Sequence, residues 1–486
     1  MITVTLNQDL YAYDIHSLIK AFYPECDVKV FTLSEKDLQP GEGEPSFTGT
    51  FSEDLQELSM TLSVDGAEKA TMVARASENE EHNLKNSMKQ HLYTMLSEFT
   101  GTVLPWGNLT GIRPTKIPMN LLEEGKEDAF ILERMEKFYQ TSPEKAKLAL
   151  EIAKREKKVL DSLNYEKGYS LYIGIPFCPT TCLYCSFTSY PIGRWKDQVD
   201  AYLDALEKEI DYTAEAMKDR VLDSVYIGGG TPSTLSPQQM ERLLHKLQES
   251  FDLSTAREFT VEAGRPDSIT RDKLQVLHDC HVERISVNPQ TMKDETLKLI
   301  GRHHTVQQTV DAFHLAREIG FDHINMDIIL GLPGEGPEDV AYTIEEIKKL
   351  RPDSLTVHSL AIKRGSKLKD WIESHDIKTL ENTDETMAIA ARGAEDMGLV
   401  PYYLYRQKNM RGNFENVGYA APGKEGIYNI LIMEEVQDII ALGAGSISKR
   451  IFPAGRIERC ENVKEVAQYM ERIDEMIERK KALFAL

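Results

Sequence analysis

Between Tyr169 and Val357 short β-like runs alternate with helical segments, and this rhythm constrains the fold more than anything else in the chain. The runs are Tyr169–Ile175, Ser224–Ile227, Glu258–Val261, Arg284–Val287, His323–Ile329 and Ser354–Val357. The segments between them are Val199–Met217, Gln238–Phe251, Arg271–Asp279, Thr305–Ile319 and Glu338–Leu350. Strands joined through helices lie parallel. Six of them predict an α/β fold, an open (β/α)6 barrel that is a partial version of the eight-unit TIM barrel. Reactive residues in such barrels sit beyond the carboxyl ends of the strands. Cys178 follows the first strand and Gly228-Gly-Gly-Thr231 the second, Glu262 ends the third, Gln290 follows the fourth, Asp327 lies on the fifth and Ala361 follows the sixth.

The flanks read differently. Residues 1–105 predict a separate N-terminal α+β domain, with strand-like Met1–Leu6, Val28–Leu33, Leu58–Val64 and Thr71–Arg75, helix-like Leu10–Phe22 and Asn83–Phe99, and an acidic patch at Glu78 to Glu81. Residues 106–165 form a linker turn and helical connector: Trp106-Gly-Asn-Leu-Thr-Gly-Ile-Arg113 reads as a rigid corner, and Leu121–Leu163 as helical. The barrel is assigned to 166–365, and 366–486 to a smaller, mainly helical C-terminal extension closing the active site. In that extension Val463, Val466, Met470, Ile473 and Ile477 have the spacing of a docking face, with the Glu and Lys residues turned to water.

Charge and hydropathy exclude several partners. The 486 residues carry a net charge of −21, a field that repels polyanions, so nucleic acid is not an expected partner. No run approaches the roughly 18 apolar residues of a membrane span. Met1–Tyr13 has neither the basic start nor the apolar stretch of a signal peptide, which predicts a cytoplasmic protein.

The cysteines narrow the chemistry. Three of the six fall in Cys178-Pro-Thr-Thr-Cys182-Leu-Tyr-Cys185, a spacing that random scatter produces on the order of 0.001 times per chain. A closed structural zinc site needs a fourth ligand, yet no His or Cys follows Cys185 until His245. An iron–sulfur cubane ordinarily takes four thiolates, so three imply one iron open to another ligand. Cys26, Cys280 and Cys460 stand alone and read as packing residues.

Tyr172-Ile-Gly-Ile-Pro-Phe-Cys178, the cysteine loop and the strand-end motifs resemble the radical S-adenosylmethionine (SAM) superfamily and, within it, the oxygen-independent coproporphyrinogen III oxidase family, in its HemZ-like branch. The resemblance spans roughly residues 168–455. It implies a [4Fe–4S] cluster held by Cys178, Cys182 and Cys185, with SAM on the open iron. It assigns Gly229, Gly230 and Thr231 to the SAM amino group and Glu262 to its ribose. Gln290, Arg302, Asp327, Ala361, Tyr172 and Ile447 become further SAM contacts, and Tyr184 one through its backbone. Read singly, the glycines make a tight turn, and Glu262 caps a helix or pairs with Arg265.

The implied reaction is oxidative decarboxylation of two coproporphyrinogen III propionates to vinyl groups, giving protoporphyrinogen IX. One electron from the cluster splits SAM to a 5′-deoxyadenosyl radical, which takes hydrogen from a propionate β-carbon, and an external electron donor and acceptor are required. A tetrapyrrole with four carboxylates needs a basic mouth, for which Arg194, Arg302, Arg406, Lys408 and Arg411 are candidates; His303-His304 reads as a carboxylate contact or a solvated helix start. Gly174 stands where decarboxylating members have His, and Phe187 where they have a further Cys. The alternative is a haem-trafficking chaperone of the same family, although its tail motif is not reproduced in Ile427–Met433.

Overall fold

The computed structural model describes residues 1–32, 41–77, 83–361, 367–374, 382–407 and 414–484; Leu33, Glu78 to Glu81, Lys408 and Arg411 lie outside them. The chain forms two compact units, Met1–Lys154 with Tyr405–Glu415, and Arg155–Leu404 with Asn416–Leu486.

In the first unit five strands lie in the order Val28–Thr32, Ile2–Leu6, Pro45–Phe51, Glu57–Val64, Ala67–Arg75. Pro45–Phe51 escapes a pattern search because it carries a proline and a glycine. Pro45 opens the strand, where a missing N–H is tolerated, and a Cβ at Gly49 would lie 2.6 Å from the Leu6 side chain. Helices Ala12–Phe22 and Leu84–Thr100 bury Ile15, Leu18, Leu92 and Leu96 in one core with Ile2, Val4 and Leu6. The expected continuous helix over 121–163 is broken: Lys116–Glu123 stops before Gly125 at φ 75°, and Pro143–Leu160 starts afresh after Gln140 at φ 57°. The Trp106 corner is buried, and its Nε1 donates to Glu415 Oε2 at 2.8 Å.

The second unit holds the six parallel strands, here β1 (Gly168–Ile175), β2 (Val221–Gly229), β3 (Glu258–Gly264), β4 (Arg284–Val287), β5 (Ile324–Leu330) and β6 (Ser354–Ser359), paired in that order. The crossover helices are Val199–Met217, Pro237–Ser250, Arg271–Asp279, Val306–Ile319 and Pro337–Leu350. Their starts are written locally: Ser236 with Gln239, and Thr305 with Gln308, close capping boxes. The C-terminal extension supplies strands as well as helices. Asp438–Leu442 adds parallel to β1, followed by antiparallel Ile447–Ile451 and Ile457–Glu461, while Asn416–Ala420 pairs antiparallel with β6 and is flanked by Val400–Tyr405.

Strand alternation sorts the side chains into two faces. Leu171, Ile173, Val225, Ile227, Val261, Ile285, Val287, Met326, Ile328, Leu355 and Val357 are buried and apolar, the face that helices cover. The opposite parity is polar on every strand: Ser170 and Tyr172, Ser224 and Tyr226, Thr260 and Glu262, Arg284 and Ser286, Asn325 and Asp327, Thr356 and His358. These residues bond one another across and along the strands. Ser224 Oγ donates to Ser170 Oγ at 2.7 Å and Thr356 Oγ1 to Asn325 Oδ1 at 3.3 Å between neighbouring strands, and Asn325 Nδ2 to Asp327 Oδ1 at 2.7 Å within β5. Glu262 on β3 senses the charges of Asp327 on β5 and His358 on β6, so the sheet curls around this polar face.

One C-terminal expectation is overturned. The docking stripe of helices Val466–Glu471 and Ile473–Phe484 includes Tyr469 and Lys480, and Lys480 does not face water: it is 1% exposed and pairs with fully buried Glu209 at 2.5 Å. Glu209 also accepts from Asn462 Nδ2 at 2.7 Å and the Gly443 amide at 2.8 Å. This carboxylate needs a cation and donors to leave water, and the C-terminal helix delivers the cation.

Candidate functional site

The cysteine loop leaves β1 at its carboxyl end and is tied to the glycine turn after β2. The amides of Gly230 and Thr231 donate to Ile175 O at 2.8 Å and Phe177 O at 2.7 Å. They are spent on backbone, and the Gly229 amide bonds Glu262; the missing side chains let this turn pack directly against the cysteine loop. A Cβ at Gly230 would lie 2.6 Å from Phe177 O and 3.0 Å from Cys178 Sγ.

Cys178 and Cys182 are buried, Cys185 is half-buried, and no disulfide joins any of the six cysteines. Burial pushes the Cys178 thiol up to about 11, with the Thr231 hydroxyl, 3.5 Å from its sulfur, pulling the other way and the two neighbouring cysteines adding to the rise. Three thiolates this close need a cationic centre to exist together. Two guanidiniums address Cys182: Arg265 Nη1 lies 3.8 Å from its sulfur, and Arg302 also bonds it. Among the described residues no three His, Cys, Asp or Glu side chains converge on a point one metal ion could occupy. The donor set of three soft sulfurs, without a fourth, fits an iron–sulfur cubane.

Arg265 is not the partner of Glu262. It holds Asp267 through two bonds, at 3.0 and 2.7 Å, and Thr180 Oγ1 at 2.8 Å, bracing the cysteine loop. Glu262 instead accepts from the Tyr226 hydroxyl at 2.5 Å, and burial raises its carboxyl to about 7 against that bond. Tyr226 belongs to a stack of three rings: its centroid is 6.2 Å from Tyr172 and 4.5 Å from Tyr428. Burial also pushes Asp327 upward, but the His358 ring 3.8 Å away and bonds from Asn325 and Thr356 outweigh it and hold the carboxyl below its ordinary range.

Arg302 is 7% exposed and, among the described residues, no carboxylate pairs with it; Nη1 donates to Asn288 O at 2.6 Å, and the Tyr184 hydroxyl is engaged with it. Arg302 Nε, Ser286 Oγ and Asn288 Oδ1 are buried without a hydrogen-bond partner. Each such atom costs about 1–3 kcal/mol unless something answers it. Together with the raised Glu262, these orphaned groups around the polar face fit a ligand carrying a carboxylate, hydroxyls and a positive charge, which SAM is.

The remaining expectations divide. Gln290 continues β4 irregularly, bridging to Ile328 at φ 69°, and is buried; Ala361 is buried beyond β6. Ile447 is 42% exposed at the start of its strand. His304 is buried and pushed down to about 3, first by burial and then by Arg302, so it is neither a solvated helix start nor a cation for carboxylates. Arg406 is buried in the first unit, Nη1 donating to Leu109 O at 2.7 Å; Arg194 is exposed. A Cβ at Gly174 would lie 3.3 Å from Leu442 O, a tight approach. Phe187 is 70% exposed two residues past Cys185. Tyr226, Tyr428 and His358 join the site without a motif to mark them, and Arg265 with a different partner; for Tyr226 and His358 the readable signal is the period-two polar parity of the strands.

Comparison with known proteins agrees with this geometry. Residues 172–347 match the Radical SAM superfamily. Over 402 residues, 82% of this chain and 80% of the relative, it is 43% identical to the oxygen-independent coproporphyrinogen-III oxidase-like protein HemZ of Bacillus subtilis (strain 168). The chain belongs to this radical SAM family. Family members use a [4Fe–4S] cluster and SAM. The chain is also 32% identical over 284 residues, 58% of its length and 69% of the relative's, to the heme chaperone HemW of Lactococcus lactis subsp. lactis (strain IL1403). The solved structure of coproporphyrinogen III oxidase (HemN) from Escherichia coli superposes with a TM-score of 0.51 at 25% identity, covering 66% of this chain and 72% of that one. No helix among the described residues is long and apolar enough to cross a membrane.

Proposed function

We propose that this radical SAM protein is an enzyme of haem biosynthesis that oxidatively decarboxylates coproporphyrinogen III propionates to vinyl groups without oxygen, giving protoporphyrinogen IX. The observation that carries the reading is the polar face of the sheet, with its orphaned polar atoms, opening beside the cysteine loop. Cys178, Cys182 and Cys185 would hold the cluster, and Tyr172, Tyr184, Gly229, Gly230, Thr231, Glu262, Gln290, Arg302, Asp327, Ala361 and Ile447 would surround SAM. When bound, the pair supplies one-electron cleavage chemistry at carbon. The chain's own work is positional. Arg265 and Arg302 donate to a ligand sulfur, Glu262 accepts from hydroxyls once ionised, and the Tyr172–Tyr226–Tyr428 stack closes the face to water.

An electron donor and acceptor are needed as partners. Anaerobic incubation with SAM, reductant and coproporphyrinogen III tests the proposal: vinyl product with one 5′-deoxyadenosine per vinyl supports it, and an unchanged tetrapyrrole refutes it. The exposed Phe187, where decarboxylating relatives have a further Cys, favours one alternative, a haem-trafficking chaperone. Stable haem binding with transfer to an acceptor and no turnover is the outcome that reading requires.

A further inference from the structure

His358 is the one histidine on any of the six strands, and toward their carboxyl ends it is their only basic side chain. It stands on the polar face of β6, two residues beyond the Asp327↔Thr356 pair and opposite Ile329. Its Nε2 lies 3.8 Å from Asp327 Oδ2, an ion-pair distance rather than a close hydrogen bond, and the ring remains 29% exposed. Asp327 is fixed from its other side by Asn325. The Glu262 carboxyl across the face also senses His358.

The polar face thus carries two carboxylates at its open end. A substrate carboxylate brought beside them meets two like charges, and an uncompensated third is unfavourable. Among the described residues, the two guanidiniums beside the cysteine loop are committed: Arg265 to Asp267 and Thr180, Arg302 to Asn288, Tyr184 and Cys182. Among the described residues of this face, His358 pairs partial exposure with a carboxylate that orients its ring through Nε2, and Nδ1 is a donor for an incoming carboxylate when the ring carries both protons.

We infer that His358, oriented by Asp327, receives a carboxylate of the substrate, and so determines which arm of a polycarboxylate is brought to the reacting end of the barrel. The inference rests on the decarboxylase reading for the identity of that arm, a propionate, but binding can be measured without turnover. The probe is coproporphyrin III, the oxidised and stable tetracarboxylate, followed by fluorescence quenching on the anaerobic, cluster-loaded protein. His358→Ala is expected to weaken its binding between about 10- and 100-fold, with iron content and SAM affinity held within twofold. His358→Arg, which keeps a donor, is expected to recover most of the loss, and the tetramethyl ester to show no dependence on residue 358.

Equal binding by wild type and His358→Ala would overturn the inference even if the wild type forms vinyl product. So would no binding by the wild type, or a loss of SAM affinity in His358→Ala matching that of Asp327→Asn, which would make the ring a prop for Asp327. If binding depends on His358 but no vinyl product forms, the inference stands and the decarboxylase reading fails.

Discussion

Replacing Glu262 by Gln separates what the buried carboxylate does for the ligand from what it costs the fold. The amide oxygen can still accept from Tyr226, and the second oxygen becomes an NH2 donor, so the variant resembles the protonated acid and cannot ionise. Burial raises the wild-type carboxyl from 4.5 to about 7. The unfolded chain then loses this proton first as pH rises, so wild-type stability falls between about pH 4.5 and 7 and stays low above. At about 1.4 kcal/mol per pH unit, and with Glu262 half-buried rather than dry, the ionised carboxylate costs about 2–3 kcal/mol. Glu262→Gln is therefore expected to match wild type near pH 4.5 and to exceed it by that amount at pH 8. In urea denaturation this is a midpoint shift of roughly 1 M or less at pH 8 alone. SAM affinity of the wild type should rise through pH 7, as ionisation makes Glu262 a stronger acceptor for a ribose diol, while that of the variant stays low and flat. A stability difference equal at both pH values would refute the reasoning.

Other consequences follow from named contacts. Lys480→Met strands Glu209 in the interior and should cost about 3–5 kcal/mol, seen as a lower melting temperature; adding Glu209→Gln should restore most of it. Gly230→Ala places a methyl 3.0 Å from Cys178 Sγ and 2.6 Å from Phe177 O, and should lower the iron retained after reconstitution more than it lowers the melting temperature. Arg265→Met frees the cysteine loop from its Asp267 brace and withdraws a donor from Cys182; the cluster should become faster to lose iron to a chelator and shift in reduction potential.

The crossovers were legible because each helix announces itself locally: Val199–Met217 and Arg271–Asp279 keep the boundaries read from periodicity, and Ser236 and Thr305 mark starts by capping. The cysteine loop was legible for the same reason, since its meaning lies in spacing over a few residues. The pairing of charges was not. Lys480 sits in a Glu- and Lys-rich helix that reads as solvated, and its partner Glu209 is 271 residues away. Trp106 meets Glu415 across 309 residues, which is why the corner was readable as a turn but its clasp was not. Glu262 was found, yet Arg265, three residues on, looked like its partner; only the fold shows that Tyr226 takes that place. The polar parity of Ser354-Leu-Thr-Val-His358 was in plain view, but alternation alone does not say which face encloses a ligand.

The central claim is that three thiols hold a cubane whose free corner faces SAM on the polar face of the sheet. Electron paramagnetic resonance of the dithionite-reduced, anaerobically reconstituted protein, with and without SAM, tests it most directly. The account predicts a reduced [4Fe–4S] signal that changes shape on adding SAM and disappears when Cys178, Cys182 and Cys185 are all replaced by Ala. A cluster signal that survives the triple replacement, or one indifferent to SAM in the wild type, would contradict it.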